Sequence, residues 1–157
     1  MMNLKTLMIT SASALALVAG SAQADGRLGL DRVDAVLERA QTFGFTHYEE
    51  IEANGRDVVE VEGWLDDEWY ADVRLSLNSD ETLREERKRL VTGAWGMTDD
   101  DVRQAFAAAS AEDMTEFESL QIDEAGHIEI EGRGQNGREL EITTRQGQDG
   151  VVAVERD

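Results

Sequence analysis

The segment Val58-Val59-Glu60-Val61-Glu62-Gly63 returns 69 positions later as His127-Ile128-Glu129-Ile130-Glu131-Gly132. In both, apolar residues alternate with glutamates, the period of a strand with one face inward and the other in water. The offset holds without a gap from about residue 28 to residue 88, with identities such as Val33/Val102, Ala40/Ala109, Glu49/Glu118, Asp80/Asp149 and Arg87/Arg156. So regular a match marks an internal duplication. The expected fold class is therefore α+β: two tandem repeats, each one helix packed on an antiparallel sheet of three to four strands. The expected divisions are a leader over 1–24, a first repeat over 25–89 and a second over 90–157.

The leader reading rests on Lys5, an uncharged stretch from Leu7 to Val18, and the small residues Ala22 and Ala24 around Gln23. That pattern fits a signal peptide cleaved between Ala24 and Asp25, which places the protein in the periplasm or outside the cell. The apolar stretch is shorter than the roughly 20 residues that span a bilayer as a helix, so no stable membrane anchor is expected. The chain has no cysteine and no proline. In an oxidising compartment it must then fold by burial alone, and a unit of about 60–65 residues by itself would be marginal.

Within the first repeat, Val33, Val36, Leu37 and Ala40 form a helical stripe ending before Gly44. Residues 25–30 read as a tether and the helix is expected from Gly29 or Leu30. Strands follow over about 46–53, 58–65 and 69–77, with Asn54-Gly55 as a turn signal. The stretch 78–88 is rich in helix formers, but its counterpart Gly150-Val151-Val152-Ala153-Val154-Glu155 is strand-like. The duplication decides for an edge strand, whose charges discourage pairing with other molecules. In the second repeat Thr98 and Asp101 form a capping pair. Val102, Ala105, Phe106 and Ala109 make the helix stripe, and strands follow over 114–122 and 127–133, then one carrying Leu140, Ile142 and Thr144, and a last over 149–156.

Asp and Glu number 34 against 15 Lys and Arg, a formal net charge of −19. Such a charge disfavours nucleic acid and anionic membranes, which need basic patches, and favours basic partners or cations. His47 and His127 are not counterparts in the duplication and neither has a metal-binding neighbour at zinc spacing. Asp66-Asp67-Glu68 and Asp99-Asp100-Asp101 lack the alternating oxygen ligands of a calcium loop. No catalytic constellation, metal site or cofactor motif emerges, and an enzyme is not expected.

Helix Leu30 to Ala40, Tyr48-Glu49-Glu50-Ile51, Val59-Glu60-Val61-Glu62, Trp69-Tyr70-Ala71-Asp72-Val73 and Asp149-Gly150-Val151-Val152-Ala153-Val154 together resemble the PepSY domain, in two tandem copies. Proline, usual in that family's turn before the last strand, is absent here. The resemblance implies a non-catalytic exported module that restrains a peptidase or binds an envelope protein. An acidic module that binds a solute or a cation such as Ca²⁺ through its acidic faces is the alternative. Specificity is expected at the second hairpin of the first repeat, where Trp64, Asp66, Asp67, Glu68, Trp69 and Tyr70 cluster. The second repeat has Arg133, Arg138 and Glu139 in place of the three aromatics. Large aromatics beside carboxylates have the composition of a protein-binding hot spot. The opposing expectation is that they cover the sheet or seal the contact between the two repeats.

Overall fold

The computed structural model describes residues 26–157; the expected signal peptide lies outside the described residues. The chain forms strands β1 (Leu28–Gly29), β2 (His47–Ala53), β3 (Val58–Trp64), β4 (Trp69–Ser76) and β5 (Thr82–Arg89) around helix α1 (Val33–Phe43). Helix α2 (Asp99–Ala111) then precedes β6 (Met114–Ile122), β7 (His127–Gly134), β8 (Glu139–Arg145) and β9 (Val151–Arg156).

Two separate helix-on-sheet units do not form, and the expected fold class is corrected. All strands join one nine-stranded antiparallel sheet in the order β5-β4-β3-β2-β6-β7-β8-β9, with β1 added beside β6. The join is β2 against β6, through Glu50–Gln121, Ile51–Leu120 and Glu52–Ser119. Ile51 and Leu120 are both fully buried there. Joining these strands pairs two backbone edges that would otherwise need protection. The two short helices cover one face of this shared sheet, and a single cluster containing both helix stripes and both strand sets forms the core.

Each helix forms where the apolar spacing requires it. Val33, Val36, Leu37 and Ala40 of α1 are buried, and Gly44 ends the helix at φ 123°, a conformation that suits glycine. In α2 the Thr98 side chain accepts from the Asp101 backbone, and the Asp101 carboxylate accepts from the Thr98 backbone. The chain's start differs from expectation. Among the described residues, 26–30 are no tether, because Leu28 is buried and pairs with Phe117. A 3-10 turn at Leu30–Arg32 then leads into α1.

Strand parity separates the two faces. Val59, Val61, Ala71, Val73 and Leu75 turn toward the helices on β3 and β4, as do Ile128, Ile130, Leu140 and Ile142 on β7 and β8. Gly63 and Gly132 serve a close approach. A Cβ there would lie 2.1 Å from the His47 carbonyl oxygen and 2.2 Å from the Glu116 carbonyl oxygen. Both sit beside β-bulges, in β2 and β6 respectively, so the same residue answers the same steric demand in each half of the sheet.

Candidate functional site: the outward sheet face

The face opposite the helices is crossed by two rows of laterally paired residues. One runs Arg84, Arg74, Glu60, Glu52, Ser119, Glu131, Glu141, Glu155 from edge β5 to edge β9. The adjacent row runs Glu86, Asp72, Glu62, Glu50, Gln121, Glu129, Thr143, Ala153. Two rows thus hold ten carboxylates and two arginines, and both arginines stand at the β5 side. Neighbouring strands lie about 4.8 Å apart, well within a Debye length of about 8 Å at physiological salt.

At the β5 side the charges are compensated. Arg74 donates to Glu60 at 2.7 Å and 3.2 Å. Arg84 reaches across two strands, donating to Asp72 at 2.5 Å and to Glu60 at 3.0 Å. Tyr70 donates its hydroxyl to Glu62 at 2.9 Å. Glu60, Glu62 and Asp72 bring carboxylate oxygens within 4.8 Å of one another, the geometry of a cation site. Guanidinium groups already occupy Glu60 and Asp72 there, although one buried Asp72 oxygen has no hydrogen-bond partner.

Across the middle and the β9 side the same repeat positions carry no arginine. The counterparts of Glu60, Arg74 and Arg84 are Glu129, Thr143 and Ala153. Burial, then the charges of Glu62 and Glu52, push the Glu50 carboxyl above its ordinary range. Burial followed by Glu60 and Glu118 does the same to Glu52. For Glu141 the neighbouring charge of Glu129 is the leading cause, ahead of burial, Glu155 and Glu131. A cleft of about 170 Å³ on this side is lined by Glu118, Glu131, Glu139, Glu141, Glu155 and Asp157 together with Gly132 and Leu140. Arg27 and Arg133 pair with Glu139 at 3.2 Å and 2.8 Å, and Arg27 also approaches Glu118 at 3.4 Å.

The six residues expected at the β3–β4 hairpin do gather there, but in different environments. Trp64 is 1% exposed and Tyr70 7%, with the two rings edge-on at 5.6 Å. The Trp64 indole N–H has no hydrogen-bond partner. Burial first, then Glu62 and Glu49, suppress ionisation of the Tyr70 hydroxyl. Asp66 shapes the turn by accepting from the backbone of Glu68 and Trp69, each at 2.8 Å. Glu68 pairs with Arg89 at 2.8 Å. Trp69, 41% exposed, and Asp67 present themselves to solvent. The hairpin therefore offers one aromatic anchor rather than three.

His127 and His47 lie on different strands. His127 faces Asp123 at 3.0 Å across its own turn, which holds that carboxyl below its ordinary range, the backbone bond from His127 being the largest cause. His47 shares a hydrogen bond with Thr46 at 3.1 Å.

The rows Glu50–Glu129 and Glu52–Glu141 were not singled out from the sequence. Their signal, the Glu-x-Glu alternation at 50/52, 60/62, 129/131 and 139/141, was present. What joined them was the register between β2 and β6.

No protein-family profile matches the chain, and no curated protein matches it. The PepSY resemblance is thus without a family match. Among solved structures, a candidate lipoprotein from Clostridium difficile 630 superposes with a TM-score of 0.46 at 18% identity, over 83% of this chain and 93% of that one. Similarity at that level assigns neither family nor function. Among the described residues, no helix is long and apolar enough to cross a membrane.

Proposed function

We propose that this chain is a non-catalytic, exported binding protein whose outward sheet face receives a basic protein, a peptidase or an envelope component. The leader pattern over residues 1–24 supports export, and the resemblance of the strand and helix pattern to PepSY domains supports a binding role. The observation that carries the reading is the pair of rows holding ten carboxylates against two arginines. Burial and then neighbouring carboxylates raise the carboxyls of Glu50 and Glu52, and chiefly neighbouring carboxylates that of Glu141, and the repulsion among them is a cost of the free protein. A cationic partner relieves that cost on binding and is steered toward the face as it approaches.

Capture from an extract of exported proteins tests this, comparing the unmodified chain with a variant carrying Glu50→Gln, Glu52→Gln, Glu129→Gln and Glu141→Gln. The expected result is a basic protein retained by the unmodified chain, released by salt and lost from the variant. Equal retention by both would overturn the reading. Saturable Ca²⁺ binding with a gain in stability, and no protein retained, would favour the cation alternative instead.

A further inference from the structure

The two edges of the sheet are built differently. Edge β5 carries Arg84, Glu85, Glu86, Arg87, Lys88 and Arg89 in succession, the charged composition that keeps an edge from pairing. Edge β9 reads Val151-Val152-Ala153-Val154 before Glu155 and Arg156. Among the described residues it pairs with β8 alone. Val152, the extra residue of a bulge opposite Thr143 and Thr144, is 60% exposed. A short apolar strand with one unpaired backbone edge is a template for another strand.

Charge says what kind of strand. On the opposite edge, Arg84 projects from the outermost strand to Asp72 on the next and Glu60 on the one beyond. On the β9 side the two outermost strands present Glu155 and Glu141, laterally paired, with no arginine at the repeat-equivalent positions Thr143 and Ala153. A strand laid against β9 would hold every second side chain on this outward face, about 4.8 Å from Glu155. A cation there would bridge Glu155 and Glu141 as Arg84 bridges Asp72 and Glu60. Its alternate side chains would fall on the helix side, beside Val151 and Val154, which pack partly against the core.

We infer that edge β9 binds an extended segment of a partner protein in which arginine or lysine alternates with apolar residues. The cationic side chains lie over Glu155 and Glu141, and the apolar ones extend the core beside Val151 and Val154. This rests on the proposal that the partner is basic and adds the manner of its recognition. A second copy of this chain fits the edge less well, because it would bring another strongly acidic face alongside the first.

The test uses the full mature chain and an alternating Val-Arg peptide, compared with a twin N-methylated at every central residue. Methylation keeps the charge and removes the N–H donors that strand pairing needs. Affinity is read by titration, and the site by amide chemical shifts. The expected result is binding of the unmethylated peptide with shifts concentrated at Val151 to Glu155, and about tenfold or more weaker binding of the twin. Equal binding of both peptides, with shifts spread over Glu50, Glu52 and Glu129, would overturn the strand-addition inference and leave the basic-partner proposal standing. Binding of neither would overturn both. Shifts at Val151 to Glu155 that grow with protein concentration alone would assign the edge to a second copy and overturn the inference.

Discussion

The β2–β5 wing and the β6–β9 wing share their backbone devices and differ in how they use their surfaces. Gly63 and Gly132 meet the same steric demand at equivalent bulges. At the neighbouring position, Trp64 packs against Tyr70 in one wing, while Arg133 pairs with Glu139 in the other. Glu60 is clasped by two arginines, whereas its counterpart Glu129 looks across Thr143 to Ala153. The difference teaches that packing positions are held in common while charge compensation is not. One wing draws Arg74 and Arg84 across its carboxylate rows, whereas the other pairs Arg27 and Arg133 with Glu118 and Glu139 and has Thr143 and Ala153 at the equivalent row positions.

The comparison can be broken most forcefully at Trp64. Trp64→Ala should cost about 3–5 kcal/mol, as loss of a buried large aromatic does. Arg133→Ala, at a partly exposed ion pair, should cost about 1 kcal/mol. Urea unfolding of the two variants measures this, and equal losses would mean that the burial of Trp64 against Tyr70 adds nothing to stability.

Next come the glycines. Gly63→Ala and Gly132→Ala each drive a Cβ into a backbone oxygen and should each cost about 1–3 kcal/mol. Losses that differ severalfold in the same unfolding assay would show that the bulges are not equivalent.

A smaller effect sharpens the charge contrast. Thr143→Arg with Ala153→Arg transplants the arginines of the β5 wing into the β9 wing. The pair should raise stability by about 0.5–1 kcal/mol and bring the Glu141 carboxyl down toward the ordinary 4.5. Carbon-detected NMR titration reads that carboxyl directly, and an unmoved midpoint would contradict the account.

The smallest effect is the pH dependence. Glu50, Glu52 and Glu141 have folded-state carboxyls above the ordinary 4.5. In the window between 4.5 and those raised values, the folded protein binds more protons than the unfolded one. Stability therefore falls as pH rises through that window and recovers as pH is lowered. Asp101, held low chiefly by its hydrogen bonds from Gln146 and Thr98 against the opposing effect of burial, acts in the other direction below 3.8. Melting followed from pH 7 down to pH 4.5 should show a rise in midpoint, reduced when Glu50 and Glu52 are both changed to glutamine.

How far the sequence could be read depended on the range of the interaction. Alternation at Val59-Glu60-Val61-Glu62 is local, so β3 and β7 were legible. The stretch 82–89 reads as helix by propensity, and only its Val-rich counterpart revealed the strand β5. The union of the wings was not legible. Ile51 and Leu120 would be apolar whether they faced each other across one sheet or lay in separate cores. Trp64 and Trp69 flank the same turn, yet one is buried and the other exposed. Tyr70 covers the first, a contact set by the pairing of β3 with β4 rather than by composition. The carboxylate rows were hidden for the same reason, since each pair of glutamates is local but their alignment passes through β2 and β6.

The central claim, that the carboxylate rows of the outward face receive a basic partner, is tested most directly by association kinetics with a fluorescent Lys-rich peptide at several salt concentrations. The account predicts a fast on-rate that falls steeply with salt for the unmodified chain, and a slower, flatter one for the Glu50, Glu52, Glu129 and Glu141 glutamine variant. Identical rates and identical salt dependence for the two proteins would contradict it.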